Sequence, residues 1–269
     1  MPELPEVETV VRQLNKLVKK QELLEILSFD HRLQLKKKNT FISTNLDSFL
    51  RIGKFIVIKL NHLKSKQNSY IAIHLRMTGR LIWFKGQKVD EDKHLRAIFH
   101  LAKGHLAFSD IRRFGTIEIH DHLNEIKIKG VDPTTDTFDL DLLSEMLKKA
   151  KQPIKTWLMR QDKLIGIGNI YASEILFDSQ ISPLKIASSL SDKKISVLYH
   201  SIRKILFAAI DNCGTTFSDF QDAHGLTGEY QNFLKVYGRV DEDCLNCNAK
   251  IKRVVQGGRS TFYCPKCQR

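Results

Sequence analysis

The first eighteen residues, MPELPEVETVVRQLNKLV (residues 1–18), carry apolar side chains at the three- and four-residue spacing of an α-helix. The apolar positions are Val7, Val10, Val11, Leu14, Leu17 and Val18. Pro5 suits the first turn because its φ is already near the helical value, and Glu6 and Glu8 complement the positive end of the helix dipole. We therefore predict a helix that buries this face in a domain core and holds the residues before it in place.

Pro2 lies just before the predicted helix and becomes the chain terminus once Met1 is removed, which is usual before a small residue. A terminal α-amine titrates near pH ~8 and a lysine near ~10, so roughly one such amine in ten is unprotonated at neutral pH. Glu3 beside it brings a carboxylate able to act as a general acid or base. The two residues are candidates for nucleophilic catalysis, and the plain alternative is an incidental N-terminus that leads into the helix.

Short β-rich runs follow between Leu23 and His120. They include Phe55 to Leu60, Tyr70 to Leu75, Arg80 to Phe84, Ala97 to Leu101, His105 to Phe108 and Thr116 to His120. Several short strands at close spacing predict a β-sandwich. The stretch LAKGHL predicts a hairpin with Lys103-Gly104 at its tip. The run Lys36-Lys37-Lys38 is most simply a solvated loop.

Helical patterns occupy the second half of the chain, after KGVDPTTDTFD (residues 129–139), which breaks both periodicities and predicts a linker. One apolar face consists of Leu140, Leu143, Met146, Leu147 and Ala150. A longer helix, which Ser191 or Asp192 can cap and which ends before Gly214, has Ile195, Leu198, Ile202, Ile205, Leu206, Ala209 and Ile210 on its apolar face. Between them, Gly166 and Gly168 predict a tight turn before a helix that begins near Asn169, and such a helix N-terminus favours a phosphate.

Four cysteines form two Cys-x-x-Cys pairs near the C-terminus, Cys244 with Cys247 and Cys264 with Cys267. The spacing is typical of a structural zinc site with four thiolates. A single iron ion is the alternative, and zinc is favoured because nothing else in the sequence suggests redox chemistry. A closed tetrahedral site leaves no position for a substrate, so we expect the Zn²⁺ to build structure. Between the pairs, VVQGGRSTFYC predicts a β-hairpin with Gly257 and Gly258 at its tip.

The composition indicates a polyanionic partner. The chain has 269 residues, enough for two modest domains, and 43 lysines and arginines against 30 aspartates and glutamates leave a net charge of +13. No apolar run approaches the ~20 residues needed to span a bilayer. The acidic N-terminus also lacks the pattern of a signal peptide. We expect a protein of the cytoplasm, close to the chromosome and without a membrane partner.

Four blocks of sequence resemble one family when they are taken together. PELPEVETV opens the chain, DIRRFG spans Asp110 to Gly115, GIGNIYASE spans Gly166 to Glu174, and RSTFYC lies between the cysteine pairs. In this order they are similar to formamidopyrimidine-DNA glycosylases, bacterial base-excision enzymes that remove oxidised purines. The resemblance covers nearly the whole chain.

The resemblance implies an α+β fold in three parts. These are an N-terminal catalytic β-sandwich domain with flanking helices (residues 1–130), a helix-two-turn-helix DNA-binding domain (139–235) after a linker (131–138), and a β-hairpin zinc finger with four cysteine ligands (236–269). It also implies that the protein binds damaged double-stranded DNA as a monomer, and that residues 213–233 fold over an extruded base.

Catalytic roles follow from the same resemblance. The nitrogen of Pro2 attacks the sugar C1′, and Glu3 assists the opening of the sugar ring. Lys54 matches a lysine that touches phosphate and donates a proton in β-elimination. Arg259 matches an arginine that reaches the DNA backbone and is linked to δ-elimination.

The DNA-contact residues implied by the resemblance are His74, Met77, His94, Arg112, Phe114, Lys151, Lys155 and Asn169. Met77 and Phe114 fill the gap left by the extruded base, and Arg112 donates to the widowed cytosine, as base flipping requires. His74 and Asn169 match residues that contact the DNA backbone, and His94 matches a histidine that contacts DNA. Lys151 and Lys155 are suitable phosphate partners because they lie close to the helix predicted to begin near Asn169. Ile111 stands where many relatives carry proline, so the rigidity of this loop does not follow from the sequence. We also hypothesise that Arg76 and Arg80 steepen the salt dependence of DNA binding.

Two other functions remain open from the sequence. Endonuclease VIII-type relatives share Pro2, Glu3 and a cysteine finger but prefer oxidised pyrimidines. Leu4 and the full-length segment 213–233 favour the purine enzyme. A protein that only binds DNA would keep the fold and the zinc. The Pro2-Glu3 pair and the gap-filling residues argue against it, whereas retention of Met1 would support it.

Overall fold

Helix α1 (Leu4–Leu17) confirms the prediction made from the first eighteen residues. Its N-cap is Glu3, in extended backbone, and Pro5 lies in its first turn. The predicted apolar face is buried except at Leu17, which is half-buried, and Val7, Val10 and Leu14 are fully inaccessible to solvent. The helix is thus held in the domain by burial of one side.

The computed structural model describes residues 1–33, 35–36, 38–86, 92–216 and 220–269. The chain divides into two compact units by its internal contacts. The first contains Met1–Lys127 and Asn212–Gln231, and the second contains Ile128–Asp211 and Asn232–Arg269. The contacts thus group residues 212–231 with the sheets, whereas the sequence pattern assigns them to the helical domain. The predicted boundaries at 130, 138 and 235 stay a prediction. Within the described ranges, no helix is both long and apolar enough to cross a membrane.

Two antiparallel sheets form most of the first unit, as the predicted β-sandwich requires. The strands are β1 (Leu23–Ser28), β2 (Lys38–Thr40), β3 (Thr44–Ile52), β4 (Phe55–His62), β5 (Gln67–His74), β6 (Gly79–Lys85), β7 (Leu95–Leu101), β8 (Gly104–Asp110) and β9 (Thr116–His120). The order is β2-β1-β7-β8-β6 in one sheet and β3-β4-β5-β9 in the other. Their inner faces share one core with α1, which includes Val10, Ile58 and Phe99.

Two local predictions in this unit are wrong. Leu101 pairs with Gly104, so the hairpin tip is Ala102-Lys103 and not Lys103-Gly104. Glycine is needed at 104 because a Cβ there would lie 2.2 Å from the carbonyl oxygen of Phe84. In the run Lys36-Lys37-Lys38, Lys38 begins strand β2, and its Nζ lies 2.8 Å from the carboxylate of Glu25. Lys37 lies outside the described residues.

The second unit is helical and ends in a hairpin. Its elements are α2 (Leu140–Lys148), α3 (Ile154–Leu158), α4 (Asn169–Asp178), α5 (Asp192–Asp211), β10 (Lys252–Gln256) and β11 (Arg259–Tyr263). Along the whole described chain, short 3₁₀ turns lie at Leu123–Glu125, Ala187–Ser189 and Tyr230–Phe233. The predicted apolar face of α5 is buried, and Ser191 caps this helix by accepting from the N–H of Lys194 at 3.5 Å. Gln256 pairs with Arg259, so Gly257-Gly258 form the predicted tip of the β10–β11 hairpin.

Replacing Leu14 by alanine tests whether α1 is held by its buried face. Leu14→Ala should lower the free energy of unfolding by about 2–5 kcal/mol, because it leaves a cavity in the shared core. Lys16→Ala, on an exposed position of the same helix, should change it by less than about 0.5 kcal/mol. Urea denaturation followed by circular dichroism measures both values. Equal losses in the two variants would contradict the packing of this helix.

Candidate functional site

The N-terminal residues are held by the side chain of Glu6. Pro2 is buried and Glu3 is 2 % exposed, while Met1 before them is exposed. One oxygen of the Glu6 carboxylate accepts from the N–H of Glu3 at 2.7 Å, and the other accepts from the N–H of Thr215 at 2.7 Å. Sequence reasoning assigned Glu6 only to the helix dipole. The three-residue spacing of Glu3 and Glu6 is that of a capping box, so the hydrogen bond between Glu6 and the N–H of Glu3 could have been predicted from the sequence.

Lys54 and His74 lie at one end of the β4–β5 pair. Lys54 comes directly before Phe55, which pairs with His74 and packs edge-on against its ring at 4.7 Å between centroids. The N–H of Arg76 donates to Nδ1 of His74 at 2.9 Å. Burial, and then the charges of Arg76 and Lys54, lower the pKa of His74 to about 3. His74 is therefore neutral at pH 7, and because Nδ1 accepts, the ring proton is on Nε2.

Met77, Arg112 and Phe114 lie on two loops that the sheet brings together. Met77 belongs to the loop before β6, and Arg112 and Phe114 belong to the loop after β8. Met77 is 38 % and Phe114 52 % exposed, so both loops present apolar surface to solvent. The guanidinium of Arg112 lies over the Phe114 ring, 4.8 Å from its centroid. These side chains are presented to solvent together.

His94 and Arg80 are tied to their surroundings more closely than the sequence indicated. The carbonyl oxygen of His94 accepts from the N–H of Asp110 at 2.9 Å, and its own N–H donates to Asp92. Nη1 of Arg80 donates to Oε1 of Gln221 at 2.8 Å. Arg76, by contrast, is exposed and adopts a positive φ of 53°.

The segment expected to cover a base, residues 213–233, is only partly described, because residues 217–219 lie outside the described ranges. Its flanks contact one another, since the N–H of Tyr230 donates to the carbonyl oxygen of Gly214 at 2.9 Å. Its middle contacts α1, where the Gln13 side chain donates to Asp222 and accepts from the N–H of Ala223.

In the second unit, Asn169 begins α4 as predicted and is held by Lys155. Lys155 is fully buried, and its Nζ donates to Oδ1 of Asn169 at 2.6 Å, to the carbonyl oxygen of Ser260 at 3.0 Å and to Oγ1 of Thr261 at 2.7 Å. Nδ2 of Asn169 also donates to Ser260, at 2.9 Å. An ammonium with three donors that meet three protein acceptors is suited to positioning α4 and β11.

The other two basic candidates of this unit point to solvent. Lys151 precedes α3 and is exposed, and so is Arg259, the first residue of β11. Arg259 is adjacent to Ser260, whose carbonyl oxygen accepts from both Lys155 and Asn169. The Lys155 contacts therefore hold the backbone next to Arg259.

The four cysteines converge as their spacing predicts. Cys244, Cys247, Cys264 and Cys267 place their sulfur atoms within 4.8 Å of one another. Four thiolates around Zn²⁺ at ~2.3 Å are separated by about 3.8 Å in a tetrahedron, so the donor set and its spacing fit one ion. Cys213 lies outside this cluster.

Family models match along the chain. Residues 1–117 match the formamidopyrimidine-DNA glycosylase N-terminal domain, and residues 129–221 match the H2TH domain of the same enzymes. Residues 241–269 match a zinc finger found in FPG and IleRS.

Relatives are similar over their full lengths. The formamidopyrimidine-DNA glycosylase of Pelotomaculum thermopropionicum is 38 % identical, and the alignment covers 100 % of this chain and 99 % of the relative. That of Carboxydothermus hydrogenoformans is 37 % identical, with 100 % of both chains covered.

Solved structures agree with this similarity. The Lactococcus lactis Fpg in complex with DNA that contains an abasic site superposes with a TM-score of 0.89 at 34 % identity, and 99 % of each chain is covered. The MutM (Fpg) protein of Thermus thermophilus gives 0.88 at 33 % identity, with 99 % of this chain and 98 % of that chain covered. Matching domains, full-length relatives and superposed structures agree, and the chain belongs to the formamidopyrimidine-DNA glycosylase family of DNA-repair enzymes.

Proposed function

We propose that the protein excises oxidised purines, 8-oxoguanine and formamidopyrimidines, from duplex DNA and then cleaves the resulting abasic site. The observation that carries this proposal is the N-terminus, where Pro2 and Glu3 lie adjacent at the start of α1 and Glu6 holds the backbone of Glu3. A solved relative, a variant of Lactococcus lactis Fpg, was crystallised with DNA that contains Fapy-dG, which supports the substrate class.

The first step in our proposal is attack by the Pro2 nitrogen on C1′ of the damaged nucleotide. Removal of Met1 is a precondition, because an amide nitrogen shares its lone pair with the carbonyl group. The C1′–N bond to proline forms, the sugar ring opens with assistance from the Glu3 carboxylate, and the glycosidic bond breaks. The base leaves with a proton, and the sugar remains attached to the enzyme as an iminium ion.

The iminium ion makes the neighbouring C2′ proton acidic, and two eliminations follow in our proposal. β-Elimination breaks the bond to the 3′ phosphate, with Lys54 as proton donor. δ-Elimination breaks the bond to the 5′ phosphate and involves Arg259. Hydrolysis of the remaining imine frees Pro2, and the DNA is left with a gap of one nucleotide.

In our proposal, DNA binding rests on contacts to the DNA backbone and on side chains that fill the gap. His74 donates from Nε2 to a phosphate as a neutral group, so this contact should not vary with pH near neutrality. Lys151 and Asn169 contact the DNA backbone, and His94 contacts the DNA. Met77, Arg112 and Phe114 fill the gap that base extrusion leaves. A direct phosphate contact by Lys155 stays a prediction, and its three protein acceptors support a positioning role instead.

We also propose that the four cysteines hold one structural Zn²⁺ and that the protein acts as a monomer on DNA. Bound zinc would supply a cross-link between the two Cys-x-x-Cys turns and thereby stabilise the β10–β11 hairpin that carries Arg259. The reaction steps themselves would be carried out by groups of the protein chain.

Substitution at the N-terminus tests the proposed chemistry. Pro2→Gly and Glu3→Gln should each slow base release from an 8-oxoguanine·cytosine duplex by about 100-fold or more, because the first replaces the secondary amine of proline by a primary amine and the second removes the carboxylate that assists ring opening. Glu145→Gln, on an exposed position of α2, is the control and should leave the rate unchanged. Borohydride trapping read by intact mass should locate the adduct of the parent chain at Pro2. Trapping on oxidised pyrimidines alone, or unchanged rates in both variants, would refute the proposal.

Metal content tests the cysteine site. Cys267→Ser should lose stoichiometric zinc and weaken duplex binding by about tenfold or more, since structural zinc supplies on the order of 10 kcal/mol of local folding energy. Cys213→Ser removes a cysteine outside the cluster and should retain the metal. Elemental analysis and fluorescence anisotropy measure the two properties. Zinc retained by Cys267→Ser would contradict the assignment.

The salt dependence of binding tests Arg76 and Arg80. Each phosphate contact contributes about 0.9 to the slope of log K against log salt concentration, so the double variant Arg76→Ala, Arg80→Ala should have a shallower slope by about 1–2. Lys64→Ala, in the exposed turn between β4 and β5, is the control. Equal slopes for the parent chain and the double variant would reject the hypothesis.

A further inference from the structure

The loops that carry the proposed gap-filling residues meet at one end of the β6–β8 pair. β6 begins at Gly79 and β8 ends at Asp110, and these two residues are paired. Met77 therefore lies two residues before the paired position, and Arg112 and Phe114 lie two and four residues after it. The antiparallel register brings together loops that are more than thirty residues apart in sequence.

The side chain of Asp110 joins these two loops. It is 1 % exposed. Its Oδ1 accepts from the hydroxyl of Thr78 and from the N–H of Arg112 at 3.2 Å, and its Oδ2 accepts from the N–H of Gly115 at 2.7 Å. The Thr78 hydroxyl oxygen in turn accepts from the N–H of Arg112 at 3.0 Å. One buried carboxylate thus satisfies donors from both loops, and removing it would leave these donors without their partner.

Two further contacts fix the second loop. Arg113 has a positive φ of 58°, which is uncommon for a residue with a side chain. Its guanidinium donates to both oxygens of Asp30, at 2.7 and 2.6 Å, and this pairing lowers the pKa of Asp30 to about 2. A Cβ on Gly115 would lie 2.6 Å from the Phe108 ring, so only glycine fits where the loop closes. The loop is therefore held without a proline at Ile111.

We propose that Thr78 and Asp110 are positioning residues that join the Met77 loop to the Arg112–Phe114 loop, so that the three gap-filling side chains enter DNA as one rigid unit. This proposal rests on the proposed function for the role of those side chains. Its consequence is that the hydrogen bonds from the backbone N–H of Arg112 to Thr78 and Asp110, and not only the Arg112 guanidinium, set the preference for cytosine opposite the lesion. If the loop were less rigid, the Arg112 guanidinium would no longer be held in the orientation that favours cytosine over other opposite bases.

Thr78→Val tests the hydrogen-bonded connection between the two loops with little change in side-chain shape, because valine matches threonine in size and lacks the hydroxyl. Asp110→Asn is the second variant and replaces one acceptor oxygen by a donor. The control is Thr44→Val, another buried threonine whose hydroxyl bonds to His62 at the opposite end of the β4–β5 pair from His74. The full-length zinc-loaded protein is used throughout.

Hydrogen exchange provides a readout that does not depend on catalysis. In both test variants, exchange at the amides of Arg112 and Gly115 should accelerate by about tenfold, because local opening becomes easier, while the control should match the parent chain there. Unchanged exchange at these amides in both variants would overturn the proposal.

Opposite-base preference provides the functional readout. The ratio of single-turnover excision rates for 8-oxoguanine opposite cytosine and opposite adenine should fall by about fivefold in Thr78→Val, the equivalent of one hydrogen bond. A ratio that is unchanged, or that falls equally in Thr44→Val, would overturn the proposal. If the parent chain released no oxidised purine from any duplex, the proposed function would fail. The exchange rates at Arg112 and Gly115 would still decide whether Thr78 and Asp110 connect the two loops.

Discussion

The Glu6 carboxylate is the contact on which the N-terminal part of the site depends. It accepts from the N–H of Glu3 on one side and from the N–H of Thr215 on the other, both at 2.7 Å. The first hydrogen bond caps the start of α1, where Pro2 and Glu3 lie. The second fixes the beginning of residues 212–231 against the same helix. Gly214 is required there because it has a positive φ and a Cβ would lie 2.7 Å from a Glu6 oxygen.

Buried carboxylates organise backbone amides at two further places. Asp110 holds the loops of Met77 and Arg112. In the second unit, Glu174 on α4 accepts from the N–H groups of Lys235, Val236 and Tyr237 at 2.8–3.0 Å. Burial raises the pKa of Glu174, and the backbone donors oppose that effect. A carboxylate can accept several N–H groups at once, so a single side chain fixes a turn that lacks regular structure.

The elements that carry the candidate site residues are therefore held in place by different interactions. α1 is held by its buried apolar face, and the β10–β11 hairpin is held by the pairing of its two strands. The loops around Met77 and Arg112 and the backbone of residues 235–237 are instead fixed by hydrogen bonds to the buried carboxylates of Asp110 and Glu174. Such loops can present exposed apolar side chains to a partner without collapsing onto the core.

The sequence by itself determined the local features of this protein. These are the amphipathic face of α1, the strand-rich half, the turn before Asn169, the cysteine hairpin and the family, since each depends on residues close together in the chain or on recognisable motifs. Only the tertiary structure decided that Lys155 faces three protein acceptors rather than solvent, that the hairpin tip is Ala102-Lys103, and that Asp110 and Thr78 join two loops. These outcomes depend on strand register and on side chains far apart in sequence, which no local pattern encodes.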